Sequence, residues 1–404
     1  MDKKRIIFHI DVNNAYLSWT AVDLLQKGYK KDIRCIPSII GGDESKRRGI
    51  VLAKSPVAKK MGIITAETIY TARKKCPNLQ IFPPDFKLYQ KNSKLLIDYL
   101  SNFTPNIEQF SIDECFLDMS GTSFLYDDLI KLAYKIKNEI KSMFGFTVNI
   151  GIAENKLCAK MASDFEKPDK VHTLFSTEIA EKMWPLPVGE LFMVGKKSTI
   201  LLNQLGIKTI GDLANADINK LRKHFKSQAD GLISAANGID YSKVEVNSSK
   251  NKCISISETL SYDMSDPVLL KKILLRQAEE IGHELRKQKI YTTTIAVTFK
   301  TDDFISYSHQ MKLTNSTNTT TSIYKTACIL FDKGWRKEPI RNIGIRLSDF
   351  VNDKITQVSL FETDKDKTDD LIQEAIDNIK DKFGKNSILP ASLLSKKEKS
   401  TNNM

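Results

Sequence analysis

A polar stretch at residues 242–252 divides this chain into a long N-terminal part and a shorter C-terminal part. Its centre, EVNSSKNK, lacks the periodic apolar residues of a buried helix or strand, so it predicts a linker. Because 404 residues exceed what one compact core accommodates, each part is expected to bury cores of its own.

The C-terminal part shows an alternation of strand and helix patterns that predicts a split β-α-β domain. The expected order is strand, helix, strand, strand, helix and strand, at 254–260, 267–287, 292–300, 307–313, 322–335 and 340–348. A last helix is expected at about 369–383 because apolar residues recur there at helical spacing. The polar end, SKKEKSTNNM, predicts a disordered tail.

The N-terminal part mixes strands and helices up to about residue 172 and is all helical from there to 241. The β-branched run at 6–10 predicts a buried strand that ends at Asp11. Residues 107–119 predict two strands that meet at a turn containing Asp113 and Glu114. The whole chain is therefore predicted to be a multidomain α+β protein.

The formal net charge of +12 favours a polyanionic partner such as nucleic acid. Charge alone leaves a merely basic soluble protein about equally open. The six cysteines form no CxxC pair, which argues against a zinc site or a disulfide framework. No apolar run is long enough to cross a bilayer, so an intracellular, cytoplasmic protein is expected.

Three acidic residues, Asp11, Asp113 and Glu114, stand where predicted strands end or turn. Carboxylates are the hard oxygen ligands that Mg²⁺ prefers, and two such ions about 3.5 to 4 Å apart activate a hydroxyl and neutralise a leaving pyrophosphate. The alternative is that Asp11 caps a helix and the other two form a solvated turn. Spacing alone favours that alternative.

Four motifs change this balance: HIDVNNAYLSW at 9–19, SIDECFLD at 111–118, GIAENKLCAKMASDFEKPD at 151–169 and FMVGKK at 192–197. Together they resemble the motifs of the Y-family DNA polymerases, the DinB- and UmuC-like translesion enzymes. The resemblance implies a right-hand polymerase. Its parts are a palm (1–11 and 82–172), small fingers (12–81), a helix-hairpin-helix thumb (173–241), the linker (242–252), a little finger (253–361) and a C-terminal helix and tail (362–404).

The same resemblance implies roles for individual residues. Asp11, Asp113 and the main-chain carbonyl of Val12 would hold two Mg²⁺ ions, and Glu114 would complete the site beside the primer hydroxyl. Tyr16 matches the family's steric gate, whose ring collides with a ribose 2′-hydroxyl; packing of the first helix is the alternative.

Two lysines match nucleotide-binding positions of the family. Lys160 would approach the triphosphate, and Lys59 would help from the fingers. Here the sequence departs from the DinB-type pattern, because Pro56 and Lys59 replace a tyrosine and an arginine. Lysine makes no planar bidentate contact, so a weaker or differently built phosphate clamp is expected.

DNA contacts are expected in two places. Gly195, Lys196 and Lys197 resemble a helix-hairpin-helix turn whose N–H groups cradle a phosphate, with an ordinary glycine turn as the alternative. On the little-finger strands, cationic side chains would line the duplex backbone, although each taken alone is more often a solvated charge: Lys300, Lys312, Arg341 and Arg346.

The segment QVSLF resembles the pentapeptide with which bacterial polymerases dock to the sliding clamp. Its residues are Gln357, Val358, Ser359, Leu360 and Phe361, with valine where leucine is more usual. The alternative is the end of a strand that packs into its own domain. The expected partners are thus primer-template DNA, deoxynucleoside triphosphates and the clamp, for a monomer that performs low-fidelity translesion synthesis without proofreading.

Two other functions compete with this reading. GGDE at 41–44 resembles the signature of diguanylate cyclases, but Ser45 replaces the expected aromatic residue. A DNA-binding scaffold without catalysis is the second, although all three acidic residues and Tyr16 are present.

Overall fold

The computed structural model describes residues 5–43, 49–246, 251–352, 365–384 and 387–393, without the side chains of 365–371 and Ser392. These residues form two compact units. The first contains the described residues up to 246 apart from Asp43, and the second contains those from 251 onward. None of the described helices combines the length and the apolar character needed to cross a bilayer.

The first unit contains eight strands and ten α-helices. The strands are β1 (Ile7–Val12), β2 (Ser38–Gly41), β3 (Val51–Lys54), β4 (Gln80–Phe82), β5 (Ile107–Gln109), β6 (Glu114–Asp118), β7 (Val148–Ala153) and β8 (Val171–Leu174). The helices are α1 (Ala15–Gln26), α2 (Pro56–Lys60), α3 (Ile69–Lys75), α4 (Phe86–Leu100), α5 (Leu129–Phe144), α6 (Lys156–Asp164), α7 (Lys196–Gln204), α8 (Ile210–Ala214), α9 (Ile218–Phe225) and α10 (Gln228–Ala236).

Strand β1 lies at the centre of a five-stranded sheet with the order β5-β6-β1-β7-β8. All six of its residues are buried, as the β-branched run predicted. It pairs antiparallel with β6, so that Ile7 lies opposite Asp118 and Asp11 opposite Glu114. Glu114 is therefore the first residue of a strand, which corrects the expectation that it lies in the turn.

The two faces of this sheet are covered by different helices, because side chains alternate along β1. Phe8 and Ile10 pack with residues of α4 and α5. On the other face Ile7 packs with α6 and with residues of the segment predicted to be the thumb, 173–241. A Cβ on Gly151 would lie 2.0 Å from the Ala159 carbonyl oxygen, so only glycine at this position of β7 allows α6 to pack this closely.

Smaller elements complete the first unit. A three-stranded sheet, β3-β2-β4, packs with α2 and α3 around its own core. Helices α7 to α10 share one core in the segment predicted to be all helical. The sequence reasoning did not predict β4, α3 or β8, which are short elements with weak periodicity of their own.

Asp169, in the loop that follows α6, forms ion pairs with two lysines of α5. Its carboxylate oxygens lie 2.7 Å from the Nζ atoms of Lys137 and Lys141, and Lys137 is buried. Burial acts to raise the pKa of Asp169, but the two lysines outweigh it and hold the pKa below its usual range. A carboxylate whose pKa is depressed by folding stabilises the protein above its unfolded pKa and loses that contribution as pH falls.

We therefore expect Asp169→Asn to lower the free energy of unfolding by about 2 kcal/mol at pH 7, because Lys137 loses its charged partner. The difference from the parent should narrow below about pH 4, where the parental carboxylate takes up a proton. Urea unfolding at pH 7 and at several values below pH 4 measures this. Glu166→Gln, at an exposed ion pair with Lys170, is the matched control. A difference that is the same at every pH would contradict the prediction.

The second unit is the expected alternation of strands and helices. Its elements are β9 (Cys253–Met264), α11 (Pro267–Lys287), β10 (Tyr291–Thr301), β11 (Ser306–Thr317), α12 (Thr320–Gly334), β12 (Ile340–Val351) and α13 (Lys365–Phe383). The sheet order is β11-β10-β12-β9, and every pairing is antiparallel. Helices α11 and α12 cover one face, where they share a core with Ile295, Val297 and Phe299.

Helix α13 begins before the expected residue 369 and contacts α11 with charged side chains. Asp377 binds Arg286, and Lys380 lies 3.1 Å from Glu279. Its apolar residues Ile372 and Phe383 are 50% and 67% exposed. The clamp-like pentapeptide at 357–361 and the polar tail at 395–404 lie outside the described residues.

Candidate active site

The three acidic residues meet at one end of the central sheet. Asp11 faces Glu114 across the β1–β6 pairing, and Asp113 precedes Glu114 directly. The Val12 N–H donates to the Asp113 carbonyl over 3.0 Å, which fixes the turn against the end of β1. Ser111 Oγ donates to the Asp113 carboxylate over 2.7 Å. The register thus brings together four residues that the sequence predicted, including Val12.

Two lysine side chains lie among these carboxylates. Lys160 Nζ is 3.4 Å from Asp11 Oδ2 and 3.0 Å from Glu114 Oε1. Lys167 Nζ is 3.0 Å from the same Asp11 oxygen, and Asp164 binds both lysines. The predicted Lys160 is therefore in the site. The sequence reasoning missed Lys167 and Asp164, although both lie in the motif at 151–169, with Asp164 at the end of α6 and Lys167 in the loop after it.

The carboxylates differ in their electrostatic environment. Burial raises the pKa of Asp11 to about 6, against the opposing effect of Lys167 and Lys160. Burial also acts to raise the pKa of Glu114, but His9 and Lys160 outweigh it and lower the pKa to about 2. Glu114 is therefore ionised at neutral pH, and the buried Asp11 is the carboxylate that gains most from a nearby cation.

Tyr16 projects from the first turn of α1 beside this cluster. Its ring stacks on Tyr89 of α4 at a centroid distance of 4.4 Å and an interplanar angle of 6°. Phe86 approaches edge-on at 6.1 Å. The Tyr89 hydroxyl is 3.0 Å from Thr20 Oγ1, so the supporting ring is itself fixed. Tyr89 and Phe86 were missed because nothing in a single sequence pairs α1 with α4.

Known proteins with similar sequences show the family to which this chain belongs. Residues 10–164 match the model of the impB/mucB/samB family, and residues 251–360 match the model of its C-terminal domain. A protein named DNA polymerase IV from Clostridium acetobutylicum is 48% identical over 98% of this chain and 100% of that protein. DNA polymerase IV 1 of Bacillus subtilis is 32% identical over 99% of this chain and 95% of that protein. The chain belongs to the Y-family DNA polymerases.

Solved structures agree with this assignment. A chimeric Y-family DNA polymerase built on Dbh has a TM-score of 0.74 and 25% identity, covering 86% of this chain and 100% of that one. A ternary complex of Dbh has a TM-score of 0.61 and 25% identity, covering 85% and 98%. The family, the right-hand polymerase fold and the translesion DNA polymerase activity predicted from the motifs are confirmed. Dependence on divalent metal is general in this family.

The acidic residues at this end of the central sheet have chemistry suited to a divalent metal. Within the described part of the chain, no three His, Cys, Asp or Glu side chains form a complete metal-binding group. Lys160 and Lys167 lie against the carboxylates instead, which shows that this end of the sheet attracts positive charge. The available donors are carboxylate and carbonyl oxygens, the ligands that hard divalent cations prefer. The residues therefore fit the metal that the family uses.

Lys59, the lysine predicted to act from the fingers, lies on α2. Lys59 is exposed in the last turn of α2, and none of the ion pairs of the described residues joins it to the three carboxylates. Pro56 occupies the first turn of α2, and the Ser55 hydroxyl caps it by accepting from the Ala58 N–H. Burial lowers the pKa of Lys54, and the charge of Lys59 lowers it further, so the two cations of this predicted fingers segment interact.

The turn predicted to belong to the thumb has an exposed helix start without a side-chain cap. Gly195 precedes α7, and no side chain caps the N-terminus of that helix. Met193 has a φ of 72° and is 84% exposed, and Lys196 and Lys197 are exposed as well. N–H groups at an open helix start, with ammonium groups beside them, form a surface suited to an anion.

Cations of the little finger lie on the sheet face opposite its helices. Lys312 pairs with Thr294, Arg346 with Ala296, and Lys300 with Ser306. Directly paired residues point to the same face, and these alternate with the core residues of β10. Arg341 instead stacks 4.6 Å from the Phe304 ring, which Lys300 also approaches.

Proposed function

We propose that this polymerase adds deoxynucleotides to a primer 3′ end at a site formed by Asp11, Asp113 and Glu114, with two Mg²⁺ ions bound. The observation that carries the proposal is the strand register that sets Asp11 opposite Glu114. Bound metal would activate the primer hydroxyl and neutralise the charge of the leaving pyrophosphate. The carbonyl of Val12 would supply a further oxygen ligand.

The chain's own cationic residues would bind the triphosphate. Lys160 and Lys167 lie within 3.4 Å of Asp11, so a nucleotide bound with its metals would place phosphate charge beside both. Lys59, with Lys54 near it, would approach from the fingers. Tyr16, supported by Tyr89, would exclude ribonucleotides by contact with the sugar.

We further propose the domain assignment made from the sequence, with the palm at 1–11 and 82–172, the fingers at 12–81, the thumb at 173–241 and the little finger at 253–361. The thumb turn at Gly195, Lys196 and Lys197 would hold one phosphate of the primer-template duplex. Arg341, Arg346 and their neighbouring lysines would contact the duplex backbone from the little-finger sheet. Such contacts carry no sequence preference, which suits a polymerase.

The experiment that tests this function is extension of a labelled primer on undamaged and abasic templates with Mg²⁺ and deoxynucleotides. We expect incorporation on both templates, with synthesis past the abasic position. DNA binding without incorporation would favour a scaffold. Turnover of GTP without DNA would favour the cyclase reading of residues 41–44, although the family relatives support the polymerase.

Clamp binding is proposed from the sequence alone, through Gln357, Val358, Ser359, Leu360 and Phe361. Replacing Leu360 and Phe361 with alanine is expected to abolish clamp-stimulated synthesis while synthesis on bare primer stays unchanged, because only the apolar anchors are removed. Exchange of Ile379 and Phe383, two partly exposed apolar residues of α13, for alanine is the matched control. Equal stimulation of the Leu360/Phe361 variant and the parent would contradict the clamp proposal.

The remaining features of the proposal concern the working form of the enzyme. We propose a monomer in the cytoplasm that copies damaged templates with low fidelity and without a proofreading exonuclease. The small size of the residue 12–81 segment supports an open site that tolerates distorted bases.

A further inference from the structure

His9 lies buried behind the Glu114 carboxylate. It is fully buried on β1 and points to the same sheet face as Asp11, two residues later. Its ring packs against Phe116 at a centroid distance of 4.7 Å. Its Nε2 atom makes no hydrogen bond and lies 3.6 Å from Glu114 Oε2. A buried polar atom without a partner beside an active-site carboxylate calls for an explanation.

The other ring nitrogen of His9 is held by α6. Nδ1 lies 2.8 Å from Ser163 Oγ, and Ser163 is fully buried. The same hydroxyl is 2.8 Å from the Lys160 carbonyl oxygen, and it has only one proton to donate. A carboxylate only accepts, so the favourable tautomer carries its proton on Nε2, towards Glu114. Ser163 then donates to Nδ1 and fixes the orientation of the ring.

Two side chains therefore lie against the Glu114 carboxylate. Lys160 Nζ binds Oε1 at 3.0 Å, and His9 lies against Oε2. A divalent cation held at Glu114 would repel the lysine ammonium and weaken its contact with Oε1. His9 lies against Oε2, the oxygen that Lys160 does not bind, and Ser163 fixes its ring. The position of His9 against Glu114 therefore does not depend on the contact between Lys160 and Oε1.

We propose that His9 is a positioning residue for Glu114, oriented by Ser163, and that this pair sets how tightly the carboxylate holds the divalent metal. The inference rests on the proposed metal site. Outer groups that orient a metal-binding side chain commonly change metal affinity or activity by about 10- to 100-fold. A buried imidazole linked to α6 is rigid enough for that role because Gly151 holds α6 close to the sheet.

Three variants test the role, with one matched control. His9→Leu removes both ring nitrogens, His9→Gln restores an amide N–H that reaches the Nε2 position, and Ser163→Ala removes the group that orients the ring. His172→Leu is the control, because His172 also has an Nε2 atom without a hydrogen-bond partner but contacts Phe165.

Three kinds of measurement are made on the full chain. Mn²⁺ binding is followed by electron paramagnetic resonance on the complex with a dideoxy-terminated primer and nucleotide, in which no turnover occurs. Single-nucleotide incorporation gives kcat and the KM for the nucleotide, and thermal unfolding monitors the fold. We expect His9→Leu and Ser163→Ala to weaken Mn²⁺ binding and lower kcat roughly 10-fold or more, with KM within about threefold. His9→Gln should recover most of the loss, and His172→Leu should behave as the parent.

Parental Mn²⁺ affinity in His9→Leu would overturn the proposal. Equal losses in His9→Gln and His9→Leu, together with a lower melting temperature, would also overturn it, since burial alone would then explain the effect. Glu114→Ala is measured in parallel. Full incorporation by Glu114→Ala would show that the metal site itself is misassigned. If Glu114→Ala is inactive but His9→Leu behaves as the parent, the metal site stands and only the positioning role of His9 is refuted.

Discussion

Replacing Asp113 and Glu114 together with alanine is expected to lower nucleotide incorporation by about 10³-fold or more, while the protein still binds primer-template DNA. Glu114 lies opposite Asp11 and Asp113 directly precedes it, so the double variant would remove two of the three carboxylates proposed to hold the metals. The leaving pyrophosphate would then lose the charge compensation that bound metal supplies. A 10³-fold loss corresponds to about 4 kcal/mol of transition-state stabilisation. DNA binding should persist because the thumb turn and the little-finger cations are untouched.

Single-nucleotide incorporation in Mg²⁺ measures the first effect, and a fluorescence-anisotropy titration with labelled primer-template measures the second. Asp302→Ala with Asp303→Ala is the matched control, because it removes an exposed acidic pair from another turn. Lys160 keeps Asp11 and Asp164 as partners in the double variant, so the fold should survive, as thermal unfolding can verify. Incorporation within tenfold of the parent would mean that the chemistry occurs elsewhere.

Tyr16→Ala is expected to weaken the preference for deoxyribonucleotides over ribonucleotides by roughly 5- to 150-fold. Steric overlap in a packed site costs about 1–3 kcal/mol, and removal of the ring removes that cost for the ribose 2′-hydroxyl. The flat stack on Tyr89 and the edge contact with Phe86 leave the Tyr16 ring little room to yield. The packing of α1 against α4 therefore fixes the position of the Tyr16 ring.

The ratio of kcat/KM for the two sugars, measured by primer extension with each nucleotide separately, gives the discrimination. Tyr16→Phe is the matched control: it keeps the ring and loses only the hydroxyl, so it should retain the preference to within about threefold. An unchanged preference in Tyr16→Ala would show that Tyr16 serves only to pack the first helix.

Local patterns carried much of this information. The apolar run at 6–10 and the alternation in the C-terminal part predicted β1 and the order of β9 to β12 with α11 and α12, because burial of one face imposes a period on the residues. Asp11, Asp113 and Glu114 stand where such runs end or turn, and they could be named as site candidates because the motifs around them resemble those of the family. The resemblance of four motifs then indicated the family, which the comparisons confirmed.

Contacts between distant residues were beyond that reasoning. Lys160 and Asp11 are 149 residues apart in the chain, and their approach depends on Gly151, which lets α6 close on β7. The roles of Lys167 and of the Ser163–His9 pair follow from the same approach. No periodicity encodes which polar groups are buried together, because packing decides this only after the elements have formed.

By itself, the sequence indicated most of the elements, their order and the acidic residues proposed for the site, since these depend on the period of apolar residues and on short motifs. The tertiary structure decided how the site is electrostatically balanced. The packing of the chain sets the register in which Asp11 lies opposite Glu114. It also places two lysines beside these carboxylates and His9 behind Glu114. In the folded chain α13 contacts α11 through ion pairs, while Ile372 and Phe383 of its apolar stripe stay exposed. The sequence does not reveal such pairs, because which charges meet depends on the three-dimensional packing of the helices.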